Sequence, residues 1–203
     1  MAIVLDGSAN TIAGLSAGGI SNANAIAKAA MPAGSVLQVI QVQKKDAWTG
    51  DNDSSYEAIR GLSASITPLS TSNKVLVEAI VWGGVDKGRW AGIRLYRGGS
   101  VVSDAISTAY SGSHYNTIDG QRQNRNWISF GYSPDDTHEE NRLQLSSGKY
   151  LDSPSSTSSL TYDLRIIGRE STTNYFINYP QYGHGSDSSV TAVSSITLTE
   201  IAG

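Results

Sequence analysis

Residues able to do chemistry are few and scattered. His184, Ser186 and Asp187 lie together in a glycine-rich stretch, YGHGSD. A catalytic triad needs an orienting third group and an oxyanion site in space, not proximity in sequence. The chain contains no G-x-S-x-G nucleophile elbow. His184 is therefore read as a loop residue. Asp135, Asp136, His138, Glu139 and Glu140 form an acidic run suited to a hydrated turn. Two adjacent carboxylates make an acid/base pair only where burial separates their pKa values, and nothing in SPDDTHEEN marks burial. Asp51-Asn52-Asp53 opens like a calcium loop, but no Gly follows at the sixth position and no Glu at the twelfth. There is no cysteine, hence no disulfide and no thiolate metal site. No catalytic, cofactor or metal residue is assigned. Exposed aromatics remain as binding candidates: Trp48 in DAWTGDNDSSY, and Tyr110 and Tyr115 in the polar stretch after residue 102. Sugar C–H faces pack on such rings, so these three are the candidate glycan contacts.

The elements that must carry these residues are strands. Charged residues are 16% of the chain and hydrophobic ones 39%, and 21 glycines punctuate it, a profile of many turns and not of a helical bundle. At 203 residues, roughly 70% of the unfolded surface can be removed from water. The net charge is −3, and the densest basic loop pair is Arg122 and Arg125, too little for a phosphate track; nucleic-acid binding is not expected. No apolar run reaches spanning length, so no membrane partner is expected. MAIVLDGSA lacks a basic n-region and an apolar h-region, so no signal peptide is expected.

The centre of the pattern is Leu62–Val102. Leu62, Ala64 and Ile66 alternate with Ser63, Ser65 and Thr67 until Pro68 ends the ladder. Val75, Val77, Ala79 and Val81 share one face of the next strand; Leu76, Ile80 and Trp82 share the other with Glu78, which predicts a central strand covered on both sides. Gly98-Gly99 joins Trp90–Arg97 to Ser100–Val102 as a tight hairpin. Together these predict a three-strand antiparallel meander. Strands are also expected over Ser35–Lys45, Trp127–Tyr132, Leu160–Ile167 (Tyr162, Leu164 and Ile166 inward), Tyr175–Tyr179 and Val190–Ile201. The sum is an all-β antiparallel sandwich, jelly-roll-like, over residues 35–203. Residues 1–34 are Gly/Ala-rich, with a helix expected over Asn22–Met31, and cannot form a core alone; they read as an attachment or trimerisation arm.

The order of IVLDGSANTIAGLSAGGI, GSVLQVIQVQKKD, LSASITPLSTSNKVLV, GIRLYRGGS, YLDSPSSTSSLTYDLRI and SSITLTEIAG resembles the bacteriophage tail-fibre or fibre-like virion structural proteins. The resemblance runs nearly end to end. It implies a non-enzymatic homotrimer with a jelly-roll-like domain, made in host cytoplasm and located in the virion. Its partners would be other phage virion proteins (tail, baseplate or capsid), met through residues 1–34, and host surface glycan. A capsid decoration protein stabilising the phage head is the alternative placement, and copy number per particle separates the two. A glycan depolymerase is disfavoured, since the chain has no repeat of the length a β-helical body needs.

Overall fold

Alternating apolar and polar residues resolve into two packed sheets. The computed structural model describes residues 4–6, 11–13, 31–51, 55–85, 89–106, 126–130, 143–168, 173–180 and 190–203. Near the N-terminus, β1 (Val4–Asp6) pairs with β2 (Thr11–Ala13). The helix expected over Asn22–Met31 lies, but for its last residue, outside the described residues. The body comprises β3 (Val36–Lys44), β4 (Trp48–Gly50), β5 (Glu57–Ile66), β6 (Lys74–Val85), β7 (Ala91–Arg97), β8 (Ser100–Val101), β9 (Ile128–Phe130), β10 (Gln144–Asp152), β11 (Leu160–Gly168), β12 (Tyr175–Ile177) and β13 (Ser194–Ile201). A six-stranded sheet holds β3, β13, β6, β12, β4 and β10; a five-stranded sheet holds β5, β11, β7, β8 and β9. Every pairing in them is antiparallel. This is the expected jelly-roll-like β-sandwich.

The core lies between the sheets. Val75, Val77, Ala79 and Val81 of β6, with Ile196 and Leu198 of β13, meet Ile93 and Leu95 of β7 and Tyr162, Leu164 and Ile166 of β11. Each large aliphatic side chain buried this way contributes about 1.5–3 kcal/mol. β11 buries the residues its alternation assigned inward. The β7–β8 hairpin also forms as its glycines dictate: Gly98 and Gly99 have φ of +56° and +83°, the backbone of a type I′ turn.

Two expectations about the central stretch fail. β5, β6 and β7 do not form a meander. β5 and β7 flank β11 in the smaller sheet, while β6 crosses to the middle of the larger one. The cause is the connection after Ile66. Buried Glu200 on β13 accepts the backbone N–H of Leu69 and the Nδ2 of Asn73, both at 2.6 Å, and so anchors this corner to the opposite sheet. Nor is β6 covered on both sides. Its Val75 face is buried, but Ile80 on the other face is 46% exposed. β10 is a strand that the apolar pattern does not announce. Its core-facing positions are Ser146, Gly148, Tyr150 and Asp152, and its leucines, Leu145 and Leu151, point outward. Gly148 is required there: a Cβ would lie 2.7 Å from Ile128 and 2.8 Å from Trp127.

The strands give the sandwich two distinct ends. β3 starts, β13 finishes and β6 starts at one end, where the chain arrives from residues 1–34; this is the arm end. The opposite, distal end receives the finish of β3, β6 and β11 and the start of β7, β10, β12 and β13.

Candidate functional site

The arm end carries short connections and buried acids. Gly34 N–H donates to the Ala202 carbonyl at 2.8 Å, and Ala202 N–H donates to the Ser35 carbonyl at 2.9 Å, so the root of the arm is clamped to the C-terminal strand. Glu200 is fully buried and accepts a third bond, from Gln38 Nε2 at 2.6 Å. Asn73, held by that carboxylate, accepts the Gly203 N–H at 3.2 Å. Across the sandwich edge, Arg97 of the smaller sheet pairs with Asp152 of the larger one. The buried Tyr162 hydroxyl donates to the same carboxylate oxygen at 2.6 Å. Burial, and then that hydrogen bond to the carboxylate, pushes the Tyr162 phenol well above its ordinary range. These groups are occupied with each other and serve as fasteners.

The distal end is organised by a neutral hub. Asn178 is buried with φ of +70°, a conformation Asn tolerates better than most residues. Its Nδ2 donates to the carbonyls of Lys44 at 2.8 Å and Asp46 at 2.9 Å, and its Oδ1 accepts from Ser194 Oγ at 2.6 Å. Lys44 is buried beside it, its Nζ held by exposed Asp46 at 2.7 Å; that bond lowers the Asp46 pKa. From this base the chain leaves the described residues after Asp51, Val85, Phe130, Gly168 and Pro180, and returns at Ser55, Arg89, Leu143, Thr173 and Val190; a further departure, after Ile106, starts where Asp104 neighbours Arg97 and Asp152.

Of the candidate glycan contacts, Trp48 sits at this end. It belongs to a short strand, because β4 pairs with β12. Its half-buried ring packs on Tyr175, with centroids 5.6 Å apart, so part of its surface faces the core. Tyr110 and Tyr115 lie outside the described residues, as do the acidic run, His184, and Asn52 and Asp53 of DND. Among the described residues no group of His, Cys, Asp and Glu has metal-site geometry. No described helix is long and apolar enough to cross a membrane.

The outer faces of the sheets hold features that the sequence pattern does not single out. On the larger sheet a hollow of about 650 Å³ lies over Gln41, Glu78, Ile80, Leu145, Lys149 and Thr197. It exists because Ser195 and Ser147, the cross-strand neighbours of Ile80, are small. Glu78 and Lys149 pair at 2.5 Å within it, and Gln41 Nε2 donates to Thr197 at 3.1 Å. These groups are paired with one another and suit contact with a surface. On the smaller sheet, Arg94 stacks on the Tyr56 ring and Arg165 on the Tyr96 ring, each guanidinium carbon 4.1 Å from the ring centre. Arg165 Nε also donates to Asp163 at 2.6 Å. Burial, opposed by Arg94, raises the Tyr56 pKa to about 12. Of these contacts only the spacing of Asp163 and Arg165, two apart on one face of β11, could be read from the sequence; the stacks join residues of different strands.

No protein-family model matches the chain, and no curated protein matches it. Among solved structures it is similar to the VP2 subviral particle of infectious bursal disease virus, at 11% identity over 81% of this chain with a TM-score of 0.36. It is also similar to the structure of the Gx strain of that virus, at 12% identity over 81% of this chain with a TM-score of 0.33. The chain spans 41% and 42% of the length of those structures.

Proposed function

We propose that this chain is a non-enzymatic structural protein of a bacteriophage virion, a tail-fibre or fibre-tip subunit. It assembles as a homotrimer, is held to the particle through residues 1–34, and presents its distal end to the host surface. The observation that carries this reading is the polarity of the sandwich. The arm root is clamped to Ala202 beside short connections fastened by Glu200 and Asp152. The opposite end mounts chain departures on the Asn178 base. A rigid scaffold with variable connections at one end is how β-sandwiches commonly present contact surfaces. Neighbouring subunits in a trimer would also cover the hollowed face around Ile80 and the sheet edges.

Deleting residues 1–34 tests the attachment. The truncated chain is expected to remain folded and to be absent from purified particles. Particles carrying normal amounts of it would overturn the arm's role. Light scattering on the full chain is expected to give a trimeric mass; a monomeric mass at micromolar concentration would count against the trimer.

A further inference from the structure

We propose that copies of this chain meet through the outer face of the six-stranded sheet, packed around an axis parallel to β6. The inference rests on the trimer reading and gives that trimer its contact face. Among the described residues, Val39, Ile80, Leu145 and Leu151 all stand on this face, each 45% to 59% exposed. Half-buried Leu76 and Trp82 lie between them. The outer face of the smaller sheet instead carries Ser65, Thr161, Asp163, Arg94 and Arg165. Aliphatic side chains gathered on one face of a sandwich and kept off the other mark a surface that a protein covers.

The register points to a second copy as the cover. Across β3, β13, β6 and β10 the side chains of this face fall into rows. Val39, Leu76 and Leu151 share the row nearest the arm end, joined through Thr199. Gln41, Thr197, Glu78 and Lys149 form a polar row beside it. Ile80 then stands between Ser195 and Ser147, and Trp82 with Leu145 makes a last apolar row. Rotation about an axis parallel to the strands keeps every row at its own height. It sets apolar rows against apolar rows and the polar row against its own copy. That row holds one acid and one base, Glu78 and Lys149, so two copies of it do not repel. The hollow over Ser147 and Ser195 leaves room for an opposing side chain. The same axis brings every arm root to one end, because β6 runs from the arm end to the distal end. Four strands by the nine residues of β10 cover about 600 Å² in plan, and side-chain relief brings this near the roughly 800 Å² per partner of a stable interface.

The chain has no cysteine, so introduced thiols report on the rows directly. In the full chain, Val39→Cys combined with Leu151→Cys puts a thiol at each side of one row. Within a copy they stand three strand spacings apart, about 14 Å, too far for a disulfide. Mild oxidation is expected to give a covalent trimer on a non-reducing gel, because each copy offers one thiol to each neighbour. Val39→Cys combined with Leu145→Cys offsets the thiols by six residues, about 20 Å along the strands, and is expected to give about tenfold less. Ile80→Lys is expected to weaken association about tenfold or more, read by light scattering, with the circular dichroism of the native chain retained. A trimeric chain that yields no covalent trimer from the same-row pair, or as much from the offset pair, overturns this face and leaves the trimer reading standing. So does a folded Ile80→Lys chain that associates as tightly as the native one. A native chain that is monomeric at micromolar concentration overturns both and leaves the face to a different partner. The cysteine pairs keep the proposal testable if Ile80→Lys impairs folding.

Discussion

The two ends of the sandwich each bury polar hubs, but of different kinds. At the arm end the hubs are carboxylates, Glu200 and Asp152, each gathering donors from elements that must stay fixed. At the distal end the hub is a neutral amide, Asn178, tying the finish of β3, the finish of β12 and the start of β13 into one base. A buried carboxylate lacking a donor is penalised more heavily than a neutral amide, so acid hubs enforce stricter geometry. The arm end thus has little tolerance for change. The distal end gathers its strands on one neutral base.

The sharpest way to break this contrast is at Glu200. Glu200→Ala leaves the Leu69 N–H, Asn73 Nδ2 and Gln38 Nε2 without their acceptor. It is expected to cost about 3–5 kcal/mol, read by denaturant unfolding. Asp152→Ala should cost about 2–3 kcal/mol, because the buried Tyr162 hydroxyl loses its acceptor while the partly exposed Arg97 recovers some hydration. A smaller loss is expected from alkali. The Tyr56 phenol rises from 10.0 to about 12 in the folded protein, so its contribution is intact below pH 10 and is lost as the pH climbs towards 12. Comparing alkaline unfolding of the native chain with Tyr56→Phe checks this, and the variant should show the shallower decline. Trp48→Ala at the distal end should cost about 1–2 kcal/mol, since only part of the ring is buried. Smallest of all, doubling the 181–189 connection with Gly and Ser should cost about 0.6 kcal/mol. An equal insertion at residues 70–72, under the Glu200 anchor, should cost several times more.

What was legible in the sequence follows from how each strand is buried. β11 could be read because Tyr162, Leu164 and Ile166 alternate against Thr161, Asp163 and Arg165, and its two faces meet different surroundings. The Gly98-Gly99 hairpin was legible because positive φ is a local requirement. β10 was not, because its apolar pattern is inverted: the core accepts Gly148 under Ile128 and Asp152 under Arg97, while leucines face out. The pairing of β5, β6 and β7 was hidden for another reason. A hairpin and a crossing between sheets differ here by a carboxylate that arrives from β13, far along the chain. The site was less readable than the fold. Trp48 could be named but its packing on Tyr175 could not, and the Arg–Tyr stacks depend on strands that meet only in the folded sheet.

The polarity of the sandwich is tested most directly by density of the intact particle at a resolution that orients the domain. Ala202 and the Glu200 corner are expected to face the particle and the Asn178 base to face outward. Density with the Asn178 end seated on the particle and the arm root pointing to solvent would contradict it.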